Sequence, residues 1–361
     1  MQNFILVYIA IAMTMIRLNA STYDAIVSKD DSGDYSTIQS AVDNAPSGRT
    51  SPWKIYIKSG TYEEQVIIPE EKSFIHLVGE NKNNTTLHLR LNVGAKPNPE
   101  KIKDEPFWAS SIHNPESQVY NYEGAVLNIK AQDFHAENLS IINDFGVDSQ
   151  SGPMALAIKI HTDRVSFDNC IVRSYQDTWQ TSGHDSHRLY VRNSFIEGAV
   201  DYIFGGGDAL FENCTLYNVR SGSIIVAPCH KTAKFGYVFR NCVVDGNEAA
   251  TDGKQKLGRP WHNAPIAVYI HTTMLIPIAP EGWTNMGTIP ALFAEYDSRD
   301  ADGNVLDLSQ RKTEYEGRGE KAGTGSCRVS ITKEEADELT YERIIKSKDG
   351  WDPHMWMKEE R

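Results

Sequence analysis

The sequence predicts an all-β protein: a parallel β-helix with a short helix at its start and another near its end. Three observations carry that expectation. A self-similar strand element recurs five times, as FHAENLSI (Phe134 to Ile141), VSFDNCIV (Val165 to Val172), LYVRNSFI (Leu189 to Ile196), LFENCTL (Leu210 to Leu216) and VFRNCVV (Val238 to Val244). Its asparagines, Asn138, Asn169, Asn193, Asn213 and Asn241, are 31, 24, 20 and 28 residues apart, the period of a solenoid. No helical periodicity lies between the units, which favours stacked strands over a leucine-rich or helical solenoid.

The elements follow in order. Ser36-Thr37-Ile38-Gln39 has the form of a capping box with Ser36 as N-cap, and Ile38, Ala41, Val42 and Ala45 continue at helical spacing until Pro46. Trp53 to Ile57, Gln65 to Ile68 and Ile75 to Gly79 are short apolar runs bounded by Gly, Pro and Asn, and read as strands. Asn92 to Glu123 is rich in Pro, Lys and Ser and reads as a long loop. Within each repeat the asparagine is expected to form a ladder, its amide satisfying neighbouring backbone groups. Beyond Val244, Ile266 to Ile270 and Leu292 to Tyr296 read as further strands. Lys333 to Lys346 reads as a helix with Thr332 as N-cap and acidic residues in its first turn.

The bulk properties bound the function. The chain has 361 residues, 40% apolar and 23% charged, enough for a sizeable core. Its net charge of −12 argues against a nucleic-acid partner, which needs a basic face. Phe4 to Ile16 is an apolar run of 13 residues, short for a membrane span, and Met1 to Ala20 reads as a secretory signal peptide. We therefore expect a secreted, extracellular monomer without a membrane partner, a single domain over residues 21–361. Secretion permits disulfides. Cys170, Cys214 and Cys242 share the position after the repeat asparagine, so Cys214 and Cys242, on consecutive coils, are within bonding reach. Sequons stand at Asn83, Asn84, Asn138 and Asn213; the last two belong to the repeat and are expected to be structural and unmodified.

The candidate chemistry lies between Tyr175 and Gly205. Asn169 precedes Asp177 by eight residues and Asn193 precedes Asp201 by eight. Equal offsets on consecutive coils put the two carboxylates at one level of one face, where paired carboxylates divide acid and nucleophile roles. Gln176 offers an amide N–H to an oxyanion. Arg259 offers a bidentate partner to one carboxylate. Trp261 offers a face for a sugar, and Tyr202 and Phe204 add aromatic surface beside Asp201.

YQDTW (Tyr175 to Trp179), GAVDYIFG (Gly198 to Gly205) and LGRPW (Leu257 to Trp261) resemble the YQDTL, GxVDFIFG and LGRPW blocks of pectin methylesterases, the pectinesterases. DDSGDYSTIQSAVDNAP near the start, GTYEEQV at Gly60 to Val66, PEGW at Pro280 to Trp283, AEY at Ala294 to Tyr296 and the late GWDP agree in order. The resemblance implies a right-handed parallel β-helix that needs no metal or cofactor and acts on methylesterified pectin. It implies Asp201 as the nucleophile on the C6 methyl ester and Asp177 as general acid, then base. It gives Gln176 the oxyanion, Arg259 the orientation of Asp201, and Trp261 a sugar contact. Trp179 and Tyr202 replace the family's Leu and Phe at the cleft wall. The family's QAVAL stretch, whose Gln is a second oxyanion donor, is Gly152-Pro153-Met154-Ala155-Leu156 here, with Gln150 as a substitute through a shifted loop. The competing readings are another β-helix pectin-degrading enzyme, a lyase or polygalacturonase, whose blocks are not visible, and a non-catalytic polysaccharide-binding β-helix.

Overall fold

Short strands rich in Val, Ile, Phe and Tyr, each ended by a residue that tolerates a sharp corner, stack here into coils. The computed structural model describes residues 23–91, 124–147, 152, 154–319, 322–347 and 349–357. Three sheets, of ten, nine and seven strands, run along the coil axis, and every ladder within them is parallel. The ten-stranded face runs from Ala25–Val27 to Leu292–Tyr296 and the nine-stranded face from Gly60–Glu63 to Arg299–Asp300. The seven-stranded face runs from Val66–Ile68 to Lys256–Gly258. Successive strands of a face come from successive coils, which defines a parallel β-helix. The strands expected at Trp53–Ile57, Ile75–Gly79, Ile266–Ile270 and Leu292–Tyr296 have those bounds.

Side chains directed inward fill the space between the three faces. Phe167, Trp179 and Phe211 pack edge to face, with centroids 4.8 and 6.2 Å apart. Phe211, Phe239 and Tyr269 then stack nearly parallel at 4.7 and 4.6 Å. Trp283 and Phe293 add a further stack at 4.6 Å. Large aromatic rings at matching positions on consecutive coils bury their area while contributing pairwise ring contacts.

The repeated asparagine has a backbone role. Asn138, Asn169, Asn193, Asn213 and Asn241 all take left-handed φ angles, between 52 and 57°. His271 and Asp297 continue the row at 51 and 50°. Each sits at the corner between a ten-stranded and a nine-stranded face strand, and each of the five asparagines donates its N–H to a carbonyl of the next coil, at 3.0 to 3.2 Å. Asparagine tolerates this conformation better than other residues that carry a Cβ. The expected amide ladder is only partial: Asn169 Nδ2 donates to Asn138 Oδ1 at 2.6 Å, whereas Asn193 Nδ2 turns to Asp168 at 3.2 Å. The common feature of the rungs is the corner itself.

Other expectations are corrected by local bonding. All five cysteines are free thiols. Cys214 Sγ donates to the Glu212 carbonyl and Cys242 Sγ to the Phe211 carbonyl, at 3.3 and 3.4 Å, so the two lie on neighbouring rungs without a bridge. The first helix, Ile38–Asn44, is capped by Thr37, which accepts from Ser40 N, and not by Ser36. Gln39 turns away to Asp43 and Ile67, and the Glu64 carboxylate takes the N–H groups of Ile38 and Gln39. Near the end, Thr332 is the N-cap as expected and forms a capping box with Glu335, but the helix expected over Lys333 to Lys346 stops at Glu338 and a separate wide turn, Glu342–Lys346, follows. Ile344, Ile345 and Trp351 cover Tyr190, Leu210 and Val238 on the outer side of the ten-stranded face. The expected leader Met1 to Ala20, the expected loop Asn92 to Glu123 and Gln150 lie outside the described residues.

If the corner conformation rather than the amide sets stability, Asn241→Gly should leave the unfolding free energy nearly unchanged. Asn241→Ala should cost about 1 kcal/mol, the strain of a Cβ in the left-handed region. Urea unfolding of both variants checks this; equal losses would restore the amide to the leading role.

Candidate active site

The seven-stranded face carries the two aspartates. Gln176 bridges to Val200, Trp179 pairs with Ile203 and Gln180 with Phe204. Asp177 and Asp201 therefore fall at adjacent positions of consecutive coils, and Asp177 N donates to the Val200 carbonyl at 2.9 Å. Both residues have left-handed backbones, with φ of 60 and 50°. The ladder to the next strand slips between Val200 and Ile203, so a bulge surrounds Asp201. A bulge re-aims one side chain out of the alternation, and strained φ values gather at such sites. Here Tyr202 and Ile203 both face the core while Asp201 faces out.

Arg259 comes from two coils further on, just past Lys256–Gly258, and its N–H donates to the Val226 carbonyl at 2.9 Å. Its side chain crosses the intervening strand. Nε and Nη2 donate to Asp201 Oδ1 and Oδ2 at 2.8 and 2.6 Å, a two-point grip. Trp261 lies two residues on, tied through its N–H to the Pro228 carbonyl. Its ring meets Phe204 edge-on at 5.7 Å. Phe204, Leu156 and Ala227 form a small outer apolar patch, on which Met154 and Trp261 rest.

Both aspartates are nearly buried on this face, 8% exposed at Asp177 and 6% at Asp201, so each has lost most of its water. Burial, then the neighbouring charge of Asp201, pushes Asp177 up to about 8 against the opposing pull of Arg259. Burial also raises Asp201, but the hydrogen bonds and charge of Arg259 work against that rise. Asp201 is thus the carboxylate that ionises first and Asp177 the one that keeps its proton near neutrality. Such a pair supplies an anionic nucleophile beside an acid. Among the described residues no group of three or more His, Cys, Asp or Glu side chains converges as a metal site would require.

The structure brings Asp177, Asp201, Arg259, Gln176, Phe204 and Trp261 to one face. Two predicted cleft residues are not there. Trp179 is fully buried in the central core against Phe167 and Phe211. Tyr202 is fully buried too, its hydroxyl donating to Asn218 Oδ1 at 3.4 Å. Neither ring can touch a ligand on the outer face, because both point into the core. Gln180 was overlooked: it pairs with outward-facing Phe204 and is half-buried on the same surface. Its signal was available, since an inward Trp179 makes the next residue face out. Gly152 lies against Gln176, and a Cβ there would come 2.7 Å from Gln176 Oε1.

Stacked parallel coils carrying a desolvated carboxylate pair, one member gripped by arginine, define a class: a β-helical protein with a candidate acid–nucleophile site, which the comparisons place among carboxylic ester hydrolases. The family model described as Pectinesterase matches residues 24–99 and 108–347, and the chain belongs to the pectinesterase family. It is 33% identical over 287 residues to Pectinesterase 31 of Arabidopsis thaliana, covering 77% of this chain and 83% of that protein. Its fold is similar to that of the pectin methylesterase from carrot, with a TM-score of 0.74 over 94% of this chain and 98% of the other at 22% identity. It is also similar, at 26% identity and a TM-score of 0.66, to an Asp-to-Ala mutant of a pectin methylesterase solved in complex with a hexasaccharide; that match covers 92% of this chain and 99% of the other.

The raised Asp177 gives a signed pH effect. Unfolded, an aspartate titrates near 3.9, roughly the model-peptide value. The folded protein holds the Asp177 proton to about 8, so stability falls as pH rises between those values. Asp177→Asn should therefore melt at a higher temperature than the parent at pH 8 to 9, and the gap should shrink towards pH 4. Scanning calorimetry across that range checks it; a gap that grows on acidification would mean Asp177 is ionised in the native state.

Proposed function

We propose that this chain hydrolyses the C6 methyl esters of methylesterified pectin, releasing methanol and leaving pectate, with Asp201 as nucleophile and Asp177 as general acid and base. The observation that carries the reading is the asymmetry of the pair. The carboxyl groups lie on consecutive coils, and arginine grips only Asp201. An ionised Asp201 oxygen attacks the ester carbonyl carbon. Gln176 donates to the oxygen that gains charge. As the C–O bond to methoxy breaks, Asp177 gives its proton and methanol leaves, with the acyl group now on Asp201. Asp177, now a carboxylate, takes a proton from water. That water attacks the acyl carbon and frees Asp201 and a galacturonate carboxyl. Asp177 regains its proton within the cycle. Trp261 and Phe204 supply an apolar wall for the sugar face.

A binding protein without catalysis is the weaker reading. Burying two carboxyl groups side by side destabilises a fold, and a purely binding groove gains nothing from it. In the proposed reading the chain is secreted after removal of Met1 to Ala20 and works as a monomer and single unit over residues 21–361. Asn83 and Asn84, both exposed, are its glycan acceptors.

Methanol release from highly esterified pectin is the direct test. The parent should release it above a buffer blank, and Asp201→Ala and Asp177→Ala should each lose at least about 10³-fold in kcat, as expected when a nucleophile or acid is removed. Release that survives both changes would remove these residues from the chemistry.

Gly152→Ala supplies a separate check on Gln176. The added Cβ lands on Gln176 Oε1, so the amide must move. Activity should fall towards the roughly 10²-fold loss of one oxyanion donor, with KM little changed and the melting temperature intact. Unaltered kcat would exclude Gln176 as the donor.

A further inference from the structure

Arg259 stands just past Lys256–Gly258, the terminal strand of the seven-stranded face. A terminal strand has a ladder on one side only. On its open side come isolated bridges, of Gln255 to Ile278 and of Gly258 to Trp283. Leu257 N donates to the Gly282 carbonyl at 2.7 Å and Thr284 N to the Gly258 carbonyl at 3.1 Å. Lys256 pairs with Glu281. The turn from Ala279 to Thr284 thus takes the place of a further strand. Arg311 fixes that turn from behind. It is 7% exposed, and its Nη1 donates to the carbonyls of Ala279 and Pro280 at 3.2 and 3.0 Å. Its Nε donates at 2.7 Å to Oε1 of Glu295, which is fully buried in Leu292–Tyr296, the last strand of the ten-stranded face. Gly282 takes a left-handed φ of 63°, and a Cβ there would come 2.6 Å from Arg311 Cδ. Buried ion pairs contribute little net stability, and packed apolar side chains often replace them without loss. An apolar pair here would leave the Ala279 and Pro280 carbonyls without these donors.

We propose that Arg311, locked by Glu295, is a positioning residue for the reaction: it holds the turn that holds the terminal strand, and so sets the reach of Arg259 to Asp201. The inference rests on the reading of Asp201 as nucleophile given above. The path is a continuous chain of hydrogen bonds and backbone. It runs from the Arg311 guanidinium to the Ala279 and Pro280 carbonyls, from Gly282 and Thr284 to Leu257 and Gly258, and from Arg259 to Asp201. A two-point grip needs both carboxylate oxygens aligned with the guanidinium fork, so a small displacement of the strand weakens one bond first. The charged groups facing Arg311 are Glu295, Glu281 and Asp307. Those facing Asp201 are Arg259 and Asp177. The two sets share no member, so Arg311 acts on Asp201 through the strand and not through its own charge.

The test uses the full chain carrying Arg311→Met, with Ile344→Ala as the control for lost stability, since Ile344 packs on the outer side of the ten-stranded face. Two readouts are followed: the pH profile of kcat/KM for methanol release, and the carboxyl titration of Asp201 by NMR of isotope-labelled aspartate, assigned with Asp201→Asn. Arg311→Met should lower kcat about tenfold, within the range carried by coupling at a distance, with KM little changed. The acid limb of the profile and the Asp201 titration should both move to higher pH, because a loosened Arg259 opposes protonation less. Ile344→Ala should lower the melting temperature and leave both where the parent has them. In an Arg259→Ala background, adding Arg311→Met should move neither readout further. If Arg311→Met does not fold, Gly282→Ala presses on the same side chain and should shift both in the same direction by less. An Asp201 titration that stays in place in the folded variant, or a further shift in the Arg259→Ala background, overturns the proposal. The reading of Asp201 as nucleophile fails separately, by absence of methanol release from the parent, and the NMR titration still reports whether Arg311 sets the grip.

Discussion

The closing of each coil onto the one below is the constraint on which everything else rests. Parallel strands stack at about 4.8 Å only if the chain returns to the same lateral position after every turn. In this protein the return is made at a left-handed corner, occupied by Asn138, Asn169, Asn193, Asn213 and Asn241 and then by His271 and Asp297. The corner tolerates coils of unequal length because excess residues leave as loops elsewhere in the turn. Twenty-four residues separate Asn169 from Asn193 and twenty separate Asn193 from Asn213, yet both pairs keep the ladder in register. A separation of 24 residues between Asp177 and Asp201 becomes adjacency for the same reason.

Adjacency alone would give two equivalent acids. The difference between them is made by one long side chain arriving from two coils away. Arg259 reaches Asp201 with both donors and does not contact Asp177, which responds to it only through distance. Burial raises both carboxyl groups, so the arginine does not hold Asp201 below its ordinary range; it keeps that rise smaller than its neighbour's. The useful quantity is the gap between the two, and it grows because each charge that forms on Asp201 makes Asp177 harder to ionise.

Strand positions were legible because short apolar runs between Gly, Pro and Asn have few alternatives, and five repeat copies supplied the register. The aspartate pair was legible through equal offsets from Asn169 and Asn193. What failed was the side of the sheet on which particular rings sit. Tyr202 looks like a cleft residue because it adjoins Asp201, yet simple alternation from an outward Asp201 already turns it inward; the bulge acts one step later, putting Ile203 inward too and Phe204 outward. Trp179 fails for another reason: even alternation from Asp177 would turn it outward, but the left-handed Asp177 resets the phase of the strand behind it. A free thiol pair at Cys214 and Cys242 was equally hidden: coil spacing makes a bridge reachable, while competition from backbone carbonyls is visible only in three dimensions. The same holds for Thr37 displacing Ser36 as cap, decided by Glu64 from the bend after Gly60–Glu63.

The surroundings of the pair also divide by chemistry along the coil axis. Towards the C-terminus, Trp261 lines a hollow of about 590 Å³ shared with His262, Met286 and Arg318. Towards the N-terminus lies a polar hollow lined by Lys130, Gln132 and His184. The two hollows arise from turns on opposite sides of Asp177 and Asp201, so the coil order alone places aromatic surface on one side of the pair and charged and polar side chains on the other.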